Sequence, residues 1–137
     1  MDDLGLTAAI EWQAKDFQRH TGVVCEVLAK PEEINIDSKI STAMFRIFQE
    51  TLTNITRHSR ATRVTVNLVQ ANDALELHVR DNGRGITQKE INDPKSFGLI
   101  GIRERAQYWR GAVEISGKPE TGTSINVRLP MPPEEPQ

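Results

Sequence analysis

Glu50, Asn54 and His58 recur at intervals of four residues. On an α-helix each is therefore rotated about 40° from the last, and a carboxylate, an amide and an imidazole share one stripe. Arg57 borders it. Taken alone, the stripe is also what the wet side of any amphipathic helix presents. Further on, the run "RDNGRGI" (80–86) places Gly83 and Gly85 two residues apart directly after an alternating segment. Asp-Asn-Gly between strands usually makes a hairpin turn, yet no alternating strand follows Gly85. Glycines so spaced let the backbone take positive φ and approach a bound molecule with no Cβ in the way. A second pair, Gly98 and Gly101, stands at the opening of a helical stretch. Free amides and the positive dipole end favour a phosphate there, although packing alone also places glycine at helix starts.

These residues need elements to hold them. Leu6, Ala9, Ile10, Ala14 and Phe17 predict a helix from Leu6 to His20, stopped by Gly22, and "VVCEVLA" a short strand ended by Pro31. Ile40, Met44, Ile47, Phe48, Leu52 and Ile55 predict a long helix from Asp37 to Ser59, capped by Asp37 or Ser38. This apolar face leaves the Glu50 stripe looking at least partly outward. "RVTVNLVQ" and "ALELHVR" alternate with period two and read as a hairpin with one buried face. "TQKEINDPKS" is a polar surface loop with at most a helical turn, "GLIGIRERAQYWRG" a helix between glycines, and "AVEIS" and "TSINVRL" two strands around "GKPETG". The order predicts an α+β two-layer sandwich, a mixed sheet with its helices packed on one face.

Composition narrows the function. A chain of 137 residues with 37% hydrophobic side chains supports one core. A net charge of -2 and 5% aromatics argue against a nucleic-acid binder. Cys25 is the single cysteine, so there is neither an intrachain disulfide nor a cysteine metal site, as in a reducing, cytoplasmic compartment. No apolar run reaches the roughly 18 residues of a membrane span. Proline and the lack of packing residues mark 130–137, "PMPPEEPQ", as a flexible tail after a domain over 1–129.

In order, "FQETLTNITRHS", "DNGRGI", "GLIGIRER" and "TGTSINVRLP" resemble the N, G1, G2 and G3 boxes of the GHKL ATPase superfamily. Within it the chain resembles the ATP-binding catalytic domain of bacterial two-component sensor histidine kinases, and "DDLGLTAAIEW" resembles the segment that opens this domain in kinases related to nitrate and oxygen sensors. The resemblance implies a Bergerat-type fold, which agrees with the element order read above.

It also implies roles. Asn54 matches the asparagine that holds Mg²⁺, Glu50 the acidic position that orders the metal's waters or takes a proton from the nucleophile, and His58, with Arg57, the basic position near the phosphates. Asp81 matches the aspartate that accepts from the adenine amino group. Gly83, Gly85 and Ile86 shape the wall beside the base, and Gly98, Leu99 and Gly101 the hinge of the ATP lid. Gly122 and Thr123 match the last turn, with the Thr123 hydroxyl reaching the adenine site. The partners implied are ATP, a dimerisation domain carrying the phosphoacceptor histidine, and a response regulator; nucleic acid and direct membrane contact are not. The loop from Gly85 to Gly98 is short for a lid. None of His20, His58 and His78 has a phosphoacceptor setting, so the chain reads as a module of a longer kinase. Two alternatives stay open: an anti-sigma-factor serine kinase of the same superfamily, and a docking module with a degenerate ATPase fold.

Overall fold

A segment whose every second residue is apolar can bury one face and leave the other wet, and five such segments pair into one sheet. The computed structural model describes residues 5–30, 34, 37–58, 60–71, 73–93, 99–118 and 120–131. In chain order the elements are α1 (Gly5–Thr21), β1 (Val24–Lys30), α2 (Ser38–His58), β2 (Arg63–Gln70), β3 (Ala74–Asp81), α3 (Gln88–Asn92), α4 (Leu99–Tyr108), β4 (Ala112–Lys118) and β5 (Gly122–Pro130). The strands lie in the order β1-β2-β3-β5-β4. β1 runs parallel to β2, with Val27 opposite Val66, and the other pairs are antiparallel, with Leu68 opposite Leu77 and Leu77 opposite Val127. Parallel neighbours need a crossover, and α2 provides it. The mixed α+β sandwich agrees with the sequence reading.

One core joins the two layers. Leu6, Ile10 and Phe17 of α1, Ile40, Met44, Ile47 and Phe48 of α2, and Leu99, Ile102 and Ala106 of α4 are buried with Val64, Val66, Leu68, Leu75, Leu77, Val127 and Leu129 of the sheet. The opposite sheet face is polar, and His78 lies on it between Asn126 Oδ1 (2.7 Å) and the Glu76 carboxylate (3.2 Å). This matches its reading as a solvent-facing strand residue. Asp37 caps α2, its carboxylate accepting from the Lys39 amide at 2.7 Å and its carbonyl from Ser41. His20, at the last turn of α1, lies 2.9 Å from the Asp16 carbonyl oxygen.

Several boundaries differ from expectation for local reasons. α4 stops at Tyr108 because Arg110 turns left-handed (φ 59°) and the Gly111 amide reaches back to the Ala106 carbonyl at 2.7 Å. β4 and β5 extend to a Lys118–Gly122 pair, shortening the turn between them. Pro130, read as the start of a tail, closes β5 opposite Ala74, and the Met131 amide bonds the Asp73 carbonyl at 2.9 Å. A proline is tolerated there because a strand end needs no further amide. Residues 132–137 lie outside the described part.

The Asp-Asn-Gly stretch is not a hairpin. β3 pairs with β2 on one side and β5 on the other, and the chain leaves the sheet at Asn82. Asn82 Oδ1 accepts from the Thr62 and Arg63 amides (both 2.9 Å), while Nδ2 donates to Thr62 Oγ1 at 2.9 Å. The side chain thereby laces the start of β2 to the end of β3. Asn82→Ala is expected to lower unfolding free energy by about 1–2 kcal/mol, since three such bonds are lost at a solvent-exposed place. Urea denaturation measures it, and an unchanged midpoint contradicts the lacing role.

Candidate functional site

The connectivity brings the functional residues to one end of the sheet. α2 is followed after four residues by β2, whose Val64 pairs with Asp81 at the end of β3. The C-terminal end of α2, the 81–86 segment and the start of β5 therefore lie at the same end of the sheet. α4 joins them by packing on α2 at Glu50.

Asp81 is buried, 5% exposed, at the last position of β3. Its Oδ1 accepts from the Gly83 amide at 2.8 Å. Burial pushes its carboxyl above the ordinary aspartate value of 3.8, partly opposed by the Gly83 and Thr123 amides that favour the charged form. A carboxylate has about four lone-pair positions, so two amides leave capacity for an external donor.

The surroundings of Asp81 are built from missing side chains. Gly85 (φ 80°) and Gly122 (φ 130°) take left-handed backbone; Gly83 does not, which corrects the expectation that both glycines of the pair use positive φ. A Cβ on Gly85 would overlap the Lys118 carbonyl, one on Gly122 the Asp81 carbonyl, and one on Gly117 the Ile86 carbonyl. The β4–β5 turn thus lies flat against the 81–86 segment. Thr123 acts in the same junction: its hydroxyl accepts from the Ile86 amide at 2.9 Å. It thereby ties residue 86 to the start of β5. Ile86 is buried in the core, as is Leu99 (3% exposed).

A staple secures the next residues. Thr87 Oγ1 accepts from the Glu90 amide and the Glu90 carboxylate accepts from the Thr87 amide, a capping box that starts α3. Arg84 donates to both Glu90 oxygens, at 3.2 and 2.9 Å. The Arg84 hydrogen bonds, joined by those from Thr87, hold the Glu90 carboxyl down at about 2, below its usual 4.5. The native pKa is the lower one, so the contribution of this pair is present above about 4.5 and lost as pH falls toward about 2. The partners are partly exposed, and solvent screening keeps the contribution small.

On α2 the stripe is not a wet face. Glu50 and Asn54 are both half-buried, and α4 lies against Glu50. Arg105 Nε donates to Glu50 Oε1 at 3.2 Å, and a Cβ on Gly101 would sit 2.8 Å from Glu50 Oε2. Gly101 thus admits the carboxylate to the helix surface. Among the described residues, the buried side-chain atoms without a hydrogen-bond partner are Glu50 Oε2, Asn54 Nδ2 and, on α1, Thr7 Oγ1. Leaving a buried polar atom unpaired costs about 1–3 kcal/mol, and two of these atoms belong to residues one helical turn apart. Arg57 is exposed at the last turn. His58 ends α2, with its side chain outside the described part, and Gly98 also lies outside it.

The donor types suit a hard cation that is shared with a phosphate. Asn and Glu offer oxygen, and the described residues hold no cluster of three His, Cys, Asp or Glu able to bind a metal by themselves. An ion here would need further oxygens from outside the described residues.

Sequence reasoning missed Arg105, Gly117 and the capping box. The box was readable in "TQKE", a Thr followed three residues later by Glu. Arg105 could have been suspected from its place one turn after Gly101 on a helix; nothing local distinguished Gly117 from an ordinary turn glycine.

Known proteins are similar to this chain in sequence and in fold. Residues 39–133 match the family model described as histidine kinase-, DNA gyrase B-, and HSP90-like ATPase. The chain is 33% identical over 135 residues to the signal transduction histidine-protein kinase/phosphatase DegS of Brevibacillus brevis, covering 98% of this chain and 35% of that protein. It is 34% identical to the sensor protein VraS of Staphylococcus epidermidis, covering 98% of this chain and 38% of VraS. The chain thus spans about a third of the length of the curated relatives it matches. The catalytic domain of histidine kinase ThkA superposes with a TM-score of 0.76 at 11% identity, covering 92% of this chain and 90% of that one, a likeness of fold.

The buried Asp81 carboxylate yields a signed pH effect. Its native pKa lies above the unfolded 3.8, so the native state holds the proton more tightly and loses stability as pH rises from 3.8 through the native value. The difference in unfolding free energy between Asp81→Asn and the wild type should therefore move in the variant's favour over that range and then level off. Denaturant titrations at a series of pH values test it, and a flat or opposite trend contradicts the assignment.

Proposed function

This chain belongs to the histidine kinase-, DNA gyrase B-, and HSP90-like ATPase family, and from that premise we propose that it is the ATP-binding catalytic module of a sensor histidine kinase. The observation that carries the reading is the pair of buried, unpartnered polar atoms on α2, Glu50 Oε2 and Asn54 Nδ2, at the end of the sheet where Asp81 is buried. Buried polar groups are normally satisfied; a phosphate oxygen would accept from Asn54 Nδ2, and the water of a phosphate-bound cation would donate to Glu50 Oε2.

Asp81 selects the base by accepting from the adenine amino group, with Gly83, Gly85 and Ile86 as the wall beside it. Gly122 and Thr123 fix that wall from β5, the first by close approach and the second through the Ile86 amide. Gly98, Leu99 and Gly101 bring the opening amides of α4 to the phosphates, and Arg57 and His58 supply positive charge from the end of α2. Magnesium, held by Asn54 together with phosphate oxygens and with Glu50 ordering its waters, would neutralise charge on the transferring phosphoryl group. The alternative role for Glu50 is to take a proton from the attacking imidazole.

Such transfers depend on positioning and charge neutralisation more than on covalent chemistry, which suits a site of Asn, Gly and backbone. The acceptor is a histidine on a separate dimerisation domain, and a response-regulator aspartate receives the phosphoryl group next. Among the described residues no helix is long and apolar enough to cross a membrane. We place the module in the cytoplasm, where ATP is available.

Calorimetric titration of ATP, ADP and GTP, with and without Mg²⁺, tests the pocket. Adenine nucleotides should bind in preference to GTP, and Asp81→Asn should abolish this preference; binding of GTP as tight as ATP contradicts the role of Asp81. Incubation with γ-labelled ATP and Mg²⁺ should leave no stable label on this chain by itself. Retained label would mean that an acceptor lies within these residues.

A further inference from the structure

Glu50 is held in a way that its place on α2 does not require. One oxygen, Oε1, accepts from Arg105 Nε at 3.2 Å, while the other, Oε2, is buried without a partner. Both restraints come from α4: Arg105 fixes the carboxylate from one side, and one turn earlier Gly101 leaves just the room that Oε2 fills. Arg105 also lines an open cleft of about 370 Å³ with Ala43, Gly101, Glu104, Tyr108 and Trp109. Its guanidinium therefore stands at the solvent boundary while Oε2 faces inward. As a surface ion pair the contact adds little to stability. Its orienting effect is larger: a carboxylate free to rotate could turn either oxygen to water, whereas one pinned at Oε1 keeps Oε2 turned inward, one helical turn before Asn54 on α2.

We propose that Arg105 is a positioning residue that presents Glu50 Oε2 to the waters of a nucleotide-bound Mg²⁺, with Gly101 providing the space. The inference rests on the functional reading above. It assigns to α4, beyond its amides, control over how strongly metal and nucleotide reinforce each other. Groups that orient a metal site from outside its ligands typically change metal affinity by about 10–100-fold when removed.

The test measures ATP affinity of the whole chain by calorimetry, in Mg²⁺ and in EDTA, for the wild type, Arg105→Met, Arg105→Lys and Gly101→Ala. In Arg105→Met the enhancement of ATP affinity by Mg²⁺ should fall about tenfold. Affinity in EDTA and the thermal midpoint should stay at the wild-type values. Arg105→Lys should recover most of the enhancement, because a single donor to Oε1 suffices. Gly101→Ala should reproduce the loss by displacing Oε2 with its methyl group. An unchanged Mg²⁺ enhancement in Arg105→Met overturns the inference, as does an equal loss of affinity in Mg²⁺ and EDTA, which would mean that Arg105 acts on the nucleotide or the fold. Absence of ATP binding by the wild type overturns the functional reading itself, and this inference with it.

Discussion

The close approach of two backbone segments, the β4–β5 turn and residues 81–86, governs the rest of the site. Gly85, Gly117 and Gly122 leave no room for a Cβ where they meet, and the Thr123 hydroxyl closes the contact by accepting from Ile86. Two consequences follow from this flat junction. It allows β5 to pair with β3 as far as Asp81, which puts a carboxylate at the end of a central strand with limited access to water. It also releases the chain from the sheet at Asn82, so that the 83–93 segment does not continue a hairpin.

The second determinant is how the helices meet. α2 is long because its apolar positions recur over five turns, and its buried face is set by Ile40, Met44, Ile47 and Phe48. α4 then has one place to bury Leu99, Ile102 and Ala106, against the sheet and beside α2. That packing carries Gly101 and Arg105 onto the flank of α2 at Glu50. The core thus decides the environment of the polar stripe: without α4 it would be a solvated face, and with α4 it becomes a half-buried row with unsatisfied atoms. Core energy from many apolar contacts supports the small cost of these few unpaired groups.

Much of this was legible locally. The helical period identified α1, α2 and α4, and strict alternation identified β2 and β3 with their buried face, because each depends only on residues within a few positions. Glu50, Asn54 and Asp81 could be singled out from the order of the motifs. What could not be read was the orientation of partners distant in sequence. Nothing near residue 105 reveals that its guanidinium reaches residue 50, and nothing in "GKPETG" reveals that Gly117 faces Ile86. Of the two glycines in "DNGRG", only the later one takes positive φ, and the deciding neighbour is Lys118, more than thirty residues away.

By itself, then, the sequence determined the elements, the two-layer class and the residue types available for nucleotide chemistry, since periodicity, turn chemistry and composition act over short stretches of chain. Tertiary structure alone decided which oxygen of Glu50 stays unpaired, how deeply Asp81 is buried and which backbone must be glycine. These outcomes are set by desolvation and steric exclusion, and both depend on which distant atoms occupy the surrounding space.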